Sequence, residues 1–343
     1  MVPMRKMSLV LLFVLAATSC LAAPEDLPTL TSPDVLFDLG LTARDVALGS
    51  VGGVFSEDAG GVFGNPAALV NIGRSSFLFS QRSQSIGTGF QFANYAADLT
   101  SAAFSLNIRN GWGVLAGGIV DLSVDDIPQT DAGGFVPVGD SFSDKQTGLI
   151  LSYAKPVDGD RASVGVSYRY LRHELANTNG DGHGFDVGLR YRFSQTWYGG
   201  VLVRDGTDVS WDDHEDLGVS VIKYSVSGRL YGGMDSPLWL MFSASQPSRR
   251  PARGAVGVEQ RFLIDSSTIA RGRYYLRASL GSAVLEERGF GQKEGLDFGQ
   301  YAFGFGVVKP AVFMGADLVI DYAFRQGEYW DDSYFSIGVR VGR

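Results

Sequence analysis

From Ser75 onward, apolar and polar residues take turns along most of this chain. In 182–193, Asp186, Gly188, Arg190 and Arg192 fall on one face, and Val187, Leu189, Tyr191 and Phe193 on the other. In 316–324, Ala316, Leu318, Ile320, Tyr322 and Phe324 alternate with Asp317, Val319, Asp321 and Ala323, and 335–342 repeats the pattern with Phe335, Ile337, Val339 and Val341. A period of two belongs to strands in a sheet with two chemically distinct faces. Fourteen strands are predicted, over 75–82, 99–109, 112–122, 145–156, 161–173, 182–193, 196–204, 218–231, 238–245, 254–263, 272–283, 301–308, 312–324 and 333–343.

The connections separate a membrane barrel from a soluble sandwich, which shows the same period. Odd-numbered strands are followed by long links, at 83–98, 123–144, 174–181, 205–217, 246–253, 284–300 and 325–332. Even-numbered strands are followed by tight turns at Asn110-Gly111, Asp158-Gly159-Asp160, Ser194-Gln195 and Lys309-Pro310-Ala311, with looser ones at 232–237 and 264–271. Short and long connections alternating over an even strand count mark a bacterial barrel with short periplasmic turns. Only a closed sheet leaves no backbone edge unpaired in lipid. The predicted fold is therefore all-β, a 14-stranded antiparallel transmembrane β-barrel over 75–343. Aromatic residues near strand ends, namely Tyr198, Tyr224, Trp239, Tyr274, Tyr301, Tyr329, Trp330 and Tyr334, are expected to form its interfacial girdles.

Ahead of the strands, 56–69 reads Ser-Glu-Asp-Ala-Gly-Gly-Val-Phe-Gly-Asn-Pro-Ala-Ala-Leu. Gly60, Gly61 and Gly64 allow tight turns and Pro66 fixes φ beside Asn65, so this stretch is expected to fold into a compact, irregular body that needs a surrounding wall. It is read as part of a hatch over 24–74 inside the lumen. Residues 1–23 read as a signal peptide, with Arg5 and Lys6 before an apolar core from Leu9 to Ala17 that is too short to span a bilayer. Two cleavage readings remain: signal peptidase I near Ala22 or Ala23, or an imperfect lipobox ending at Cys20. Cys20 is the only cysteine, which excludes an intrachain disulfide and a cysteine metal site.

Composition supports this reading. The chain has 45 glycines, 22 phenylalanines and 14 tyrosines in 343 residues, as suits a wall with a greasy outside and a polar inside. Its net charge of −8 argues against a nucleic-acid partner. No Gly-x-Ser-x-Gly elbow or Walker loop is present, and His173, His183 and His214 stand without a nucleophile motif, so no catalytic residue and no cofactor is predicted. The acidic loops 179–183 and 211–216 lack EF-hand spacing and read as solvated charge, not as a metal site. Lumen-facing Arg169, Arg190, Arg192, Glu259, Arg261, Arg273, Arg277, Asp317, Asp321 and Arg340 are expected mainly to pair with one another and with the hatch.

The run SEDAGGVFGNPAALVNIG (56–73), behind Gly40-Leu41-Thr42-Ala43-Arg44 and Leu48-Gly49-Ser50-Val51-Gly52-Gly53, resembles the N-terminal hatch of FadL-type long-chain fatty-acid channels. It is equally similar to the corresponding segment of PorV/PorQ-like outer-membrane proteins. The FadL resemblance implies a bacterial outer-membrane channel for passive uptake of hydrophobic small molecules such as long-chain fatty acids, with membrane lipid around it. It also implies a ligand path along the hatch at Phe63, Asn65, Pro66, Ala67 and Leu69, and a lateral opening at a kink in the third strand, here at Gly117-Gly118. Paired glycines in a strand also mark bulges or close backbone approach. The PorV-like resemblance implies instead a partner of secretion-system proteins that transports no ligand. The 123–144 link, with Val124, Ile127, Phe135 and Val136, suits either role, as a lid or as a docking surface.

Overall fold

The computed structural model describes residues 35–38, 40–51, 53–86, 97–108, 111–130, 137–232, 236–248, 252–265, 271–281, 300–326 and 330–342. The expected signal peptide, Cys20, the first part of the expected hatch, Phe135, Val136 and Tyr329 lie outside them. The strands are β1 (Ser75–Ile86), β2 (Ala97–Ile108), β3 (Gly113–Thr130), β4 (Pro137–Asp158), β5 (Ala162–Leu175), β6 (Thr178–Arg192), β7 (Trp197–Arg204) and the short β8 (Asp208–Ser210) and β9 (Glu215–Asp216). They continue with β10 (Val221–Tyr231), β11 (Leu238–Pro247), β12 (Arg253–Ile264), β13 (Gly272–Gly281), β14 (Gln300–Phe313), β15 (Ala316–Gln326) and β16 (Trp330–Val341).

β8 and β9 form a small hairpin laid against β6. The other fourteen strands close into one antiparallel barrel, with β7 pairing β10 and the first strand β1 pairing the last, β16. Alternation decides which way each residue faces. On β6, Phe185, Val187, Leu189 and Tyr191 are exposed on the outside, while Asp186 and Arg190 are buried within. On β15, Val319, Asp321 and Ala323 are buried and Tyr322 is exposed. The exposed apolar residues run around the wall, from Phe77 and Phe104 to Leu276, Phe303 and Ile337. A surface so apolar is a membrane-facing surface, and a closed ladder satisfies its backbone in lipid. The chain is a barrel of the outer-membrane type.

Several connections differ from expectation. The 123–144 link is largely strand: β3 runs to Thr130 and β4 starts at Pro137, with register shifts between Val124 and Ile127 and between Pro128 and Thr130. The 174–181 link shrinks to Ala176 and Asn177, where Ala176 takes φ 52°. The turn expected at Lys309-Pro310-Ala311 falls instead at Met314-Gly315, which have φ 48° and 78° and join the Phe313–Ala316 pair. Two successive positive φ values make the type I′ geometry that matches strand twist. Pro310 and Ala311 become an irregularity within β14.

The girdle assignment also needs correction. Tyr224, Tyr274 and Tyr301 sit at outward positions, but Trp239 and Tyr334 are buried inside, and Tyr198 stacks on Trp239 and lies tilted against Phe55 in the lumen. Their parity along the strand, not their nearness to its end, sets the side they face.

Candidate functional site: the N-terminal segment and its seat in the wall

The described residues between 35 and 74 pack against the inward face of the barrel. Helix α1 (Val35–Asp38), helix α2 (Ala43–Ala47) and two 3-10 turns, Ala59–Phe63 and Pro66–Asn71, make up its regular parts. The last three are each started by a side chain that accepts a backbone N–H, as short polar residues do at such positions. Thr42 accepts from Asp45 N, Asp58 from Gly60 N and Asn65 from Ala67 N. Pro66 opens the second 3-10 turn, where its missing N–H costs nothing.

So irregular a segment leaves many carbonyls unpaired, and a buried orphan carbonyl is unfavourable. Side chains of the wall supply the partners. Arg204 donates to the carbonyls of Phe37 and Phe63, both at 3.3 Å. Ser101 donates to Leu41 O at 2.6 Å, Lys223 to Ser50 O at 2.5 Å, Arg190 to Val54 O at 3.1 Å and Ser163 to Ala67 O at 2.9 Å. In return Asn65 donates to the wall carbonyls of Leu189 and Val201, both at 3.2 Å.

Close approach makes these contacts reachable. A Cβ on Gly165 would lie 2.5 Å from both Ala67 N and Pro66 C, and one on Gly188 would lie 2.1 Å from Asn65 Oδ1. The Asn65-Pro66-Ala67 turn therefore rests on bare backbone of β5 and β6, which brings three of the predicted site residues to one seat. The other two, Phe63 and Leu69, are buried in the apolar cluster that fills the space toward β1–β5, together with Leu36, Leu41, Leu78, Leu99 and Val114.

β3 keeps continuous register with both β2 and β4 from Val114 through Val124, so no bulge interrupts the ladder at Gly117-Gly118. Gly117 faces outward beneath Phe104, and Gly118 faces inward against Phe63 and Val62. The pair is explained by close packing on both sides of the wall.

The opposite side of the lumen is ionic. Glu259, fully buried, accepts from Arg44 at 3.3 Å and from Arg277 at 2.8 Å, and its other oxygen accepts from Arg261 at 2.8 Å. Arg277 also reaches Asp321 at 2.5 Å, and Arg261 reaches Glu57 at 2.6 Å. Three arginines thus balance three carboxylates, which is what allows charges to remain inside. Burial alone would raise the Glu57 carboxyl, but Arg261, Arg44 and Arg340 outweigh it and hold it below the usual range. Burial likewise works against the Arg44 guanidinium, and Glu259, Glu57 and Asp58 more than offset it, so Arg44 stays charged. Sequence reasoning named the wall members of this network but missed Arg44 and Glu57, which lie in a stretch with no strand parity to orient them.

Cavities lie around the segment. One of about 90 Å³ sits between it and β7 and β10, lined by Arg44, Asp58, Arg204 and Lys223. A second of about 160 Å³ lies beside it toward the long-link end, and the two share Ser50, Val221 and Lys223. At the short-turn end are cavities of about 440 Å³ and 250 Å³, which share Asn71. Among the described residues no group of histidines, cysteines and carboxylates is arranged to hold a metal.

No protein-family model matches the chain, and no curated protein matches it in sequence. Solved structures do match in three dimensions. A FadL homologue of Pseudomonas aeruginosa superposes with TM-score 0.56 at 9% identity, covering 88% of this chain and 98% of that one. The Ralstonia pickettii toluene transporter TbuX gives TM-score 0.58 at 12% identity over 88% and 99% of the two chains. The Pseudomonas putida toluene transporter TodX gives 0.56 at 9% over 88% and 97%. The chain has the fold of the FadL-type outer-membrane barrels.

Proposed function

We propose that this protein is an outer-membrane channel for the passive passage of hydrophobic small molecules, with residues 24–74 as its hatch. The observation that carries this reading is the seat of the Asn65-Pro66-Ala67 turn. The segment inside the barrel is held by hydrogen bonds and ion pairs, not by strand pairing, and cavities lie on both sides of it. Such a body can shift without opening the wall. The structural neighbours include channels named for toluene and for monoaromatic hydrocarbons, which favours the same class of cargo.

In this mechanism a ligand enters the cavity beside Ser50 from the long-link end and crosses the Lys223–Ser50 contact. It then moves past the hatch as Asn65, Pro66 and Ala67 slide off Gly188 and Gly165, with Phe63 and Leu69 keeping the far side dry. The passage is passive in this reading, so direction comes from consumption of the ligand downstream. Long-chain fatty acids and small aromatics are the two cargo classes in question. Mass spectrometry of organic extracts of the purified protein, after thorough detergent exchange, tests the reading. A retained apolar compound supports it. Protein free of such compounds that co-purifies with secreted proteins favours the PorV-like role instead.

A further inference from the structure

The cavity of about 440 Å³ at the short-turn end lies where the N-terminal segment leaves the lumen to enter β1. Arg74, Arg271, Arg273 and Arg340 line it, against Glu57, Asp265 and Asp317. The carboxylates are already engaged: Asp317 by Arg74 at 2.7 Å, Asp265 by Arg271 at 3.0 Å and Glu57 by Arg261 at 2.6 Å. Among the described residues Arg340 pairs with Asp58 at a long 3.7 Å and feels the charge of Glu57, and its buried Nε has no hydrogen-bond partner. Arg273 lies at an inward-facing position of β13, in register between Leu263 and Val308, with no ion pair among the described residues. The cavity therefore holds arginine donors in excess of acceptors, beside apolar Leu263, Val308 and Pro310.

We propose that this vestibule binds the carboxylate head group of an amphipathic anion. The carboxylate bridges Arg273 and Arg340, and the tail lies along Leu263, Val308 and Pro310. A planar guanidinium matches a carboxylate with two parallel hydrogen bonds, and charge-assisted bonds of this kind are the strong ones. The cavity falls within the size range of small-molecule sites. The site rests on the channel reading only for the origin of its ligand. With that reading it narrows the cargo to acids with a hydrophobic tail, in preference to neutral hydrocarbons.

Isothermal titration of the full chain in a neutral maltoside detergent, with octanoate, octanol and inorganic phosphate as probes, tests the site. Saturable octanoate binding at least about tenfold tighter than octanol is expected, with Arg273→Gln weakening octanoate about tenfold and leaving octanol unchanged. Arg273→Lys is expected to recover part of the loss. Octanoate binding no tighter than octanol, or unaffected by Arg273→Gln, overturns the proposal. Phosphate displacing octanoate at equal concentration assigns the cavity to phosphate head groups and overturns the carboxylate assignment. If octanoate binds as expected while cells expressing the protein take up no hydrophobic compound, the site stands and the channel reading falls.

Discussion

Gly188 of the wall lies so close to Asn65 of the N-terminal segment that a methyl group on it would sit 2.1 Å from the Asn65 Oδ1. The Asn65 side chain has no slack to yield. Its oxygen accepts from Ala67 N at 2.9 Å and its nitrogen donates to two wall carbonyls. Gly188→Ala is therefore expected to break these three bonds, each worth about 1 kcal/mol, and to loosen the segment. Gly165→Ala, which strikes backbone atoms of Pro66 and Ala67, is expected to do so more severely. Gly254→Ala, where the nearest atom is 3.8 Å away, serves as the control. Limited proteolysis of the folded barrel reads the difference, as faster cleavage within 35–74 in the first two variants only.

Among the described residues Arg277 is the one ion-pair partner of Asp321 and one of three of Glu259. Arg277→Met leaves a buried carboxylate uncompensated and is expected to destabilise the barrel by about 3–5 kcal/mol. The urea midpoint of unfolding in lipid or detergent measures this. A shift of less than about 1 kcal/mol would mean that water or relaxation already satisfies Asp321.

The clamp between Glu57 and Arg261 has a definite acid response. Because the folded Glu57 value lies below its unfolded one, its contribution is complete above the ordinary carboxylate range. It is lost progressively as pH falls from the ordinary carboxylate value through the depressed folded one. Docking of the segment is thus expected to survive mild acid and to loosen under stronger acid, whereas Glu57→Gln loosens it at neutral pH as well. Protease sensitivity of residues 35–74 against pH distinguishes the two. Wild-type sensitivity that is already high at neutral pH, or that stays flat as pH falls well below the ordinary carboxylate range, would contradict the clamp.

Much of the wall was legible because parity is a strong signal. Where Asp186 and Arg190 alternate with Val187 and Leu189, both faces follow directly, and the fourteen barrel strands fall close to their expected places. Parity alone does not say where a strand stops once it leaves the membrane, so the β3–β4 and β5–β6 hairpins run further than expected. Nor does proline always mark the turn: Pro310 fits an irregularity of β14, and the Met314-Gly315 turn lacked the usual Asn-Gly or Asp-Gly signature. Tyr334 and Trp239 misled because aromatic residues fill the lumen as readily as they line an interface. In the N-terminal segment the Asn-Pro-Ala turn was visible, but its partners Gly165, Gly188, Ser163 and Leu189 are roughly a hundred residues away. Only the closed wall brings them together.

Gly53 and Ser225 offer the most direct test of the central claim, that the hatch must move for a hydrophobic ligand to pass. A Cβ on Gly53 would lie 3.9 Å from the Cβ of Ser225 on β10, the spacing a disulfide requires. The measurement is uptake of a labelled fatty acid and of labelled toluene by cells expressing the Gly53→Cys, Ser225→Cys variant, with and without reductant. Uptake above vector is expected for at least one compound when the bond is reduced, and its loss when the bond is oxidised. Uptake that is equal in the two states, or equal to vector in the wild type, would contradict it.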